Sequence, residues 1–223
     1  SAGGAVRAYR MEDNGPGLIW ESAGYNDNVS PPVHHNGKLY LTYSGGLAAL
    51  DAATGLGLWG LNDSQVGMGG GSAPVVYKGI LYVANAFLGW GHTLLAVDLE
   101  TRHVVWRMEP PTLRFYQSSP AAFNGRVYGV DGDGTVRAHD AATGEVLWEK
   151  RIGALMASTE TVSLAAYPPV VLVGFEDGLL RAFDLETGEL KWMKAVGCRY
   201  ASPSVAGATV FVAADAENKI YAL

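Results

Sequence analysis

Apolar residues along this chain fall in short runs such as "KLYLTY", "ILYVAN", "RVYGVD", "VVLVGF" and "TVFVAA", each bounded by a Gly- or Asn-containing turn. Turn signals recur about every ten residues, and no stretch shows apolar spacing of helical period. The pattern predicts short antiparallel strands throughout. Four of these five runs follow a Gly turn ("HNGK", "YKGI", "FNGR", "VAGAT"), and most lead into a second one ("SGG", "DGDG", "FEDG", "AEN").

A longer period organises the strands. "ALDAATGLGLW" (49–59), "AVDLETRHVVW" (96–106), "AHDAATGEVLW" (138–148) and "AFDLETGELKW" (182–192) share the frame A-x-D-x-x-T-G-x-x-x-W. With Trp20 included, the tryptophans at 20, 59, 106, 148 and 192 are separated by 39, 47, 42 and 44 residues. A period in the forties, with four strands in each repeat, predicts an all-β β-propeller of four-stranded antiparallel blades. Four of the repeats open on a Ser-Pro-like step: Ser30-Pro31, Ser72 to Pro74, Ser119-Pro120 and Ser202-Pro203.

The frame has a mechanical basis. Asp51, Asp98, Asp140 and Asp184 each open a tight hairpin whose carboxylate is placed to accept backbone N–H groups and the Thr hydroxyl three residues on, while the Gly after Thr permits positive φ. Ala49, Ala96, Ala138 and Ala182 stand where a ring or backbone presses close. Trp20, Trp59, Trp106, Trp148 and Trp192 are assigned to docking against the neighbouring blade. Arg102 takes the place of the turn Gly in the second copy, which predicts a looser or differently built hairpin there.

This frame resembles the tryptophan-docking repeat of PQQ-like (quinoprotein-type) β-propellers, a group that includes quinoprotein alcohol dehydrogenases and the propeller lipoprotein of the outer-membrane barrel assembly machinery. The resemblance covers essentially the whole chain. For the enzymes it implies a quinone over a Trp floor, a vicinal disulfide, and Glu, Asn and Asp around Ca²⁺. One cysteine, Cys198, cannot supply that disulfide, and no position matches the other ligands. The resemblance therefore implies a non-catalytic propeller with no bound cofactor, working outside the cytoplasm.

Residues 1–223 are expected to form one propeller domain, with partial repeats at both ends. "GLIWES" is expected to complete the C-terminal three strands as a composite closing blade, giving five blades and removing two open sheet edges. "VRAYR" and "KIYAL" nevertheless compete for the same slot of the frame.

Charge narrows the partners. Lys and Arg total 16 and Asp and Glu 22, a net charge of −6 with no basic cluster, which argues against nucleic acid. No run reaches the roughly 18 apolar residues of a membrane helix. The opening "SAGGAVRAYRMEDN" lacks the pattern of a secretory leader, so any leader is expected to be absent or removed.

Several motifs imitate sites. "VDGDGT", with Asp131 and Asp133, has a calcium-loop start but no ligand Glu at the required spacing, and its counterparts are plain turns. "GMGGGS" (67–72) precedes a strand and not a helix, so it is a connection and not a phosphate cradle. His34 and His35 belong to a surface hairpin. No nucleophile elbow is present.

Departures from the repeat carry more information. "ANAFLGWGHT" inserts about six residues into the second repeat, presenting Phe87, Leu88 and Trp90 as candidate partner contacts, with folding back over the blade as the alternative. Blade-connecting loops on the same face bring Tyr25, Asn26, Met68, Tyr116, Gln117, Met156, Arg199 and Tyr200 toward the channel mouth. The function expected is a protein-binding or assembly module. A small-ligand sensor at the mouth is the alternative, and a quinone-dependent dehydrogenase fits least.

Overall fold

The computed structural model describes residues 4–12, 15–25, 29–62, 72–84, 94–108, 118–131, 133–152, 162–175, 177–198, 203–214 and 219–223. Every regular element among them is a strand. An N-terminal sheet pairs β1 (Gly4–Glu12) with β2 (Gly15–Tyr25). Blade 1 holds β3 (Val33–His35), β4 (Lys38–Tyr43), β5 (Gly46–Asp51) and β6 (Gly57–Asn62) in chain order. Blade 2 repeats that order with β7 (Val75–Tyr77), β8 (Ile80–Ala84), β9 (Leu94–Asp98) and β10 (Val104–Met108). A two-residue strand β11 (Ser118–Ser119) precedes blade 3, which consists of β12 (Ala121–Phe123), β13 (Arg126–Val130), β14 (Thr135–Asp140) and β15 (Val146–Arg151). Blade 4 holds β16 (Val162–Tyr167), β17 (Val170–Gly174), β18 (Gly178–Asp184) and β19 (Leu190–Cys198), and β11 joins it by pairing in parallel with β16. A terminal sheet of β20 (Ser204–Ala206), β21 (Thr209–Ala214) and β22 (Lys219–Ala222) follows. These successive antiparallel sheets make a β-propeller.

Each inner sheet is covered on both faces, which is why its strands read as apolar runs and not as apolar/polar alternation. In β8, Leu81 and Val83 pack with Tyr40, Leu47 and Ala49 of blade 1. Tyr82 and Ala84, one position over, pack with Val127 and Ala141 of blade 3. Period two thus sends alternate residues of a single strand to different neighbours. Trp148, Phe183 and Leu185 belong to the apolar cluster that fills the space between blades 3 and 4.

The Ser-Pro-like openings build a second, polar connection from blade to blade. Ser30 Oγ accepts the Thr42 amide at 3.0 Å, and Thr42 Oγ1 donates to Ser72 O at 3.2 Å. Ser72 Oγ in turn donates to Ser118 O at 3.3 Å, and the Ala73 amide donates to Ser119 Oγ at 3.0 Å. Ser30, Ser72, Ser118 and Thr42 are all buried, so the bonds among them satisfy groups that water does not reach.

Among the described residues no strand pairing joins β2 to β20, β21 or β22, so the composite closing blade expected from the sequence is not seen there. β2 takes β1 as its partner, and β20, β21 and β22 form a sheet of their own. The contest between "VRAYR" and "KIYAL" goes to the segment that a short hairpin already holds beside β2, where loop closure costs least entropy. Ala8 pairs with Trp20 as Ala49 pairs with Trp59, across a hairpin two residues longer than the others. The outward faces of both partial sheets stay open: Tyr9 is 51% and Met11 90% exposed at one end, Ile220 77% at the other.

Candidate binding surfaces

The four acidic hairpins share one hydrogen-bond scheme. Asp51 Oδ1 accepts the amides of Ala53 at 3.0 Å and Thr54 at 2.8 Å, together with the Thr54 hydroxyl at 2.9 Å. The Asp98, Asp140 and Asp184 carboxylates accept the corresponding amides at 2.7 to 2.9 Å. These donors hold all four carboxyls below the usual carboxylate range. The Thr54 hydroxyl contributes most at Asp51, and the amides of Thr101, Thr143 and Thr187 contribute most at the other three. Asp184 is lowered to about 2, with Lys191 as a further partner. These acids are committed to turns.

Three hairpins receive the tryptophan of the preceding sheet. Trp20 Nε1 donates to Ala52 O at 3.2 Å, Trp106 Nε1 to Ala141 O at 3.0 Å and Trp148 Nε1 to Leu185 O at 3.1 Å. The acceptor is always the residue after Asp. A tyrosine from the second strand of the preceding blade donates to the same oxygen in two cases: Tyr82 to Ala141 O at 2.9 Å and Tyr128 to Leu185 O at 3.2 Å. Each indole lies on the turn glycine, where a Cβ on Gly55, Gly144 or Gly188 would fall 2.4, 2.8 or 2.5 Å from the ring. The glycine is thus needed both for its positive φ and for its missing side chain. The sequence frame revealed only the first need.

Arg102 corrects the expectation of a looser hairpin. It adopts φ 63°, its amide donates to Asp98 O at 2.8 Å, and the turn closes like the others. What changes is the joint: the Arg102 guanidinium lies over the Trp59 ring, 5.8 Å from its centroid. Trp192 remains 38% exposed.

The turn at 131–135 holds a buried polar cluster. Asp131 Oδ1 accepts the amides of Asp133 at 3.2 Å and Thr135 at 3.0 Å, while its Oδ2 receives Arg137 Nη1. Arg137 Nε also reaches Glu149 at 3.0 Å. Burial, aided by the neighbouring Asp133 carboxyl, pushes Asp131 up to about 6 against the pull of Arg137. His139 is fully buried, stacked on Trp106 with centroids 6.4 Å apart, and its Nδ1 lies 3.0 Å from Gly144 O. Burial lowers it to about 4, so the ring is neutral near pH 7. Sequence inspection missed His139 because nothing in the repeat marks that position as a blade joint.

The partner-contact candidates Phe87, Leu88, Trp90, Tyr116, Gln117, Arg199 and Tyr200 lie outside the described residues, as do Asn26, Met68, Met156 and the "GMGGG" segment. Tyr25 is described: it packs edge-on against Tyr43 of blade 1 at 5.3 Å. Among the described residues, clefts open between successive blades. One of about 450 Å³ separates blades 3 and 4, with Lys150, Arg151 and Ile152 on one wall and Phe183 and Leu190 on the other. A polar cleft of about 370 Å³ lies between blades 1 and 2 beside His35, Lys38 and Glu100. A third, of about 320 Å³, lies between blades 2 and 3 beside Tyr77 and Ala141.

Repeated four-stranded sheets joined by indole-on-glycine contacts define a PQQ-like β-propeller. The family model described as "Outer membrane protein assembly factor BamB" matches residues 1–109 and 44–223, and the chain belongs to that family. It is 29% identical over 161 residues to the BamB of Moranella endobia (strain PCIT), covering 66% of this chain and 40% of the relative. It is 35% identical over 158 residues to the serine/threonine-protein kinase AfsK of Streptomyces griseus, covering 66% of this chain but 19% of the kinase. The crystal structure of BamB from Moraxella catarrhalis superposes with a TM-score of 0.70 at 21% identity, over 93% of this chain and 61% of that one. The chain therefore spans between 19% and 61% of the length of these relatives.

Proposed function

We propose that this chain acts as a non-catalytic propeller that binds protein partners, as an assembly module, in an extracytoplasmic compartment. Its 223 residues serve as one domain. The observation that carries the proposal is the family match along the chain to an outer membrane protein assembly factor. The described hairpin acids support it, because turn amides already engage them. Function then falls to departures from the repeat, above all Phe87, Leu88 and Trp90 in the second-repeat insertion.

The test is cross-linking and affinity capture with the full chain in its native host, comparing wild type with the double variant Phe87→Ala/Trp90→Ala. Partner recovery should fall at least about tenfold, as for loss of an aromatic interface anchor, with an unchanged thermal midpoint. Undiminished recovery in a folded variant rejects the loop as the contact. Absence of any specific partner for the wild type rejects the module.

A further inference from the structure

The cleft between blades 3 and 4 opens beside the joint of Trp148 and Gly188. Beyond Trp148, period two along β15 places Lys150 and Ile152 on the side that faces blade 4. Ile152 packs against the apolar cluster that contains Trp148 and Phe183. Phe183, 3% exposed, forms the floor, and Leu190, 49% exposed, stands at the opening. The volume of about 450 Å³ is that of a small ligand site.

The charges of the rim set the chemistry. Cations nearby are paired: Arg137 with Glu149, Arg181 with Asp177 and Lys191 with Asp184. Lys150 and Arg151 are exposed, and neither takes part in an ion pair among the described residues. Glu189 is the one carboxylate among the described residues that line the cleft, and the Arg151 charge is also felt by Asp133. On a chain of net charge −6, the three cations Lys150, Arg151 and Arg181 against the single carboxylate Glu189 among the described lining residues form a local reversal of sign.

We infer that this cleft binds an acidic peptide segment of a protein partner, with a carboxylate on Lys150, Arg151 adding positive charge at the rim, and an apolar side chain against Ile152 and Leu190. This rests on the binding-module proposal and adds a second contact, with stated chemistry, to it. A nucleic acid would meet three cations on an otherwise acidic molecule, and an anionic membrane surface is held by clusters of about four to eight basic residues. An acidic peptide needs no more charge than the rim provides, and its apolar residue gains the burial that the floor offers.

The experiment is fluorescence anisotropy with the full chain and three fluorescein-labelled peptides: Asp-Glu-Phe-Asp-Glu, its amide counterpart Asn-Gln-Phe-Asn-Gln, and Asp-Glu-Gly-Asp-Glu. Only the first should saturate with appreciable affinity. The variant Lys150→Glu/Arg151→Glu should weaken it at least about tenfold without moving the thermal midpoint, since both residues are exposed, and added salt should weaken it further. Equal binding of the amide peptide, unchanged binding to the charge-reversed variant, or competition by phosphatidylglycerol vesicles overturns the proposal. Phe87→Ala/Trp90→Ala should leave peptide binding intact. If partner capture depends on that loop while the peptide fails to bind, the cleft proposal falls and the binding-module proposal stands.

Discussion

The joint between blades 1 and 2 and the joint between blades 3 and 4 are built on the same frame and differ at one turn residue. At the second, Trp148 lies on Gly188, its N–H and the Tyr128 hydroxyl share Leu185 O, and the indole is 8% exposed. At the first, Arg102 stands where the glycine would be, and Trp59 is covered by a guanidinium. The backbone of both hairpins is alike, with positive φ at Arg102 and Gly188. A tight turn therefore tolerates a side chain at this position at a modest conformational cost, whereas the indole joint does not. The arginine substitutes a cation–π contact worth about 0.5 to 1 kcal/mol at an exposed site. A polar cleft of about 370 Å³ beside Tyr40 and Leu99 accompanies the altered joint.

The largest effect that sharpens this contrast is removal of the rings. Trp148→Ala should destabilise by about 3 to 5 kcal/mol, the range for a buried aromatic, and Trp59→Ala by about half as much. Urea unfolding of both variants checks this, and equal losses would show that the glycine contact adds nothing.

Next in size is the pH response of the joint between blades 2 and 3, where His139 stacks on Trp106. His139 is lowered to about 4, so the unfolded chain takes up that proton first, and stability present above its ordinary value of 6.5 is lost as pH falls toward 4. Asp131, raised from 3.8 to about 6, acts with the opposite sign: its contribution is full below 3.8 and lost as pH rises through 6. The two offset each other between these values. Asp131→Asn should remove the offset, so that the variant loses up to about 3 kcal/mol between pH 6.5 and 4 while wild type changes less. Parallel pH profiles of urea midpoints for the two proteins would refute the opposition.

Smallest is the exchange of turn residues. Gly188→Ala should cost about 2 to 3 kcal/mol, from positive φ and the ring 2.5 Å from the new Cβ, whereas Arg102→Gly should gain about 1 kcal/mol by relieving strain. Thermal midpoints moving the same way in both variants would contradict the difference between the joints.

Much of this was legible in one dimension. The five tryptophans and four Asp-x-x-Thr hairpins are local, and their spacing is visible because each turn closes within a few residues. Where local features left a choice, the sequence misled or fell silent. "GLIWES" looked free to close a blade, yet the hairpin at Glu12–Gly15 had already given β2 a partner. Arg102 looked like a defect in its own turn, and its consequence lies in Trp59, more than forty residues away. The cleft beside Lys150 draws residues from blades 3 and 4, and no single segment marks it.

Alone, the sequence determined the strand content, the repeat and the acidic turns, because hydrogen bonds within a hairpin and alternation along a strand need only neighbours in the chain. Tertiary structure decided which ring meets which glycine, which strand claims a contested slot and where cations from two blades gather around one cleft. Those outcomes depend on groups brought together by packing, whose distance in space is not encoded by their distance in sequence.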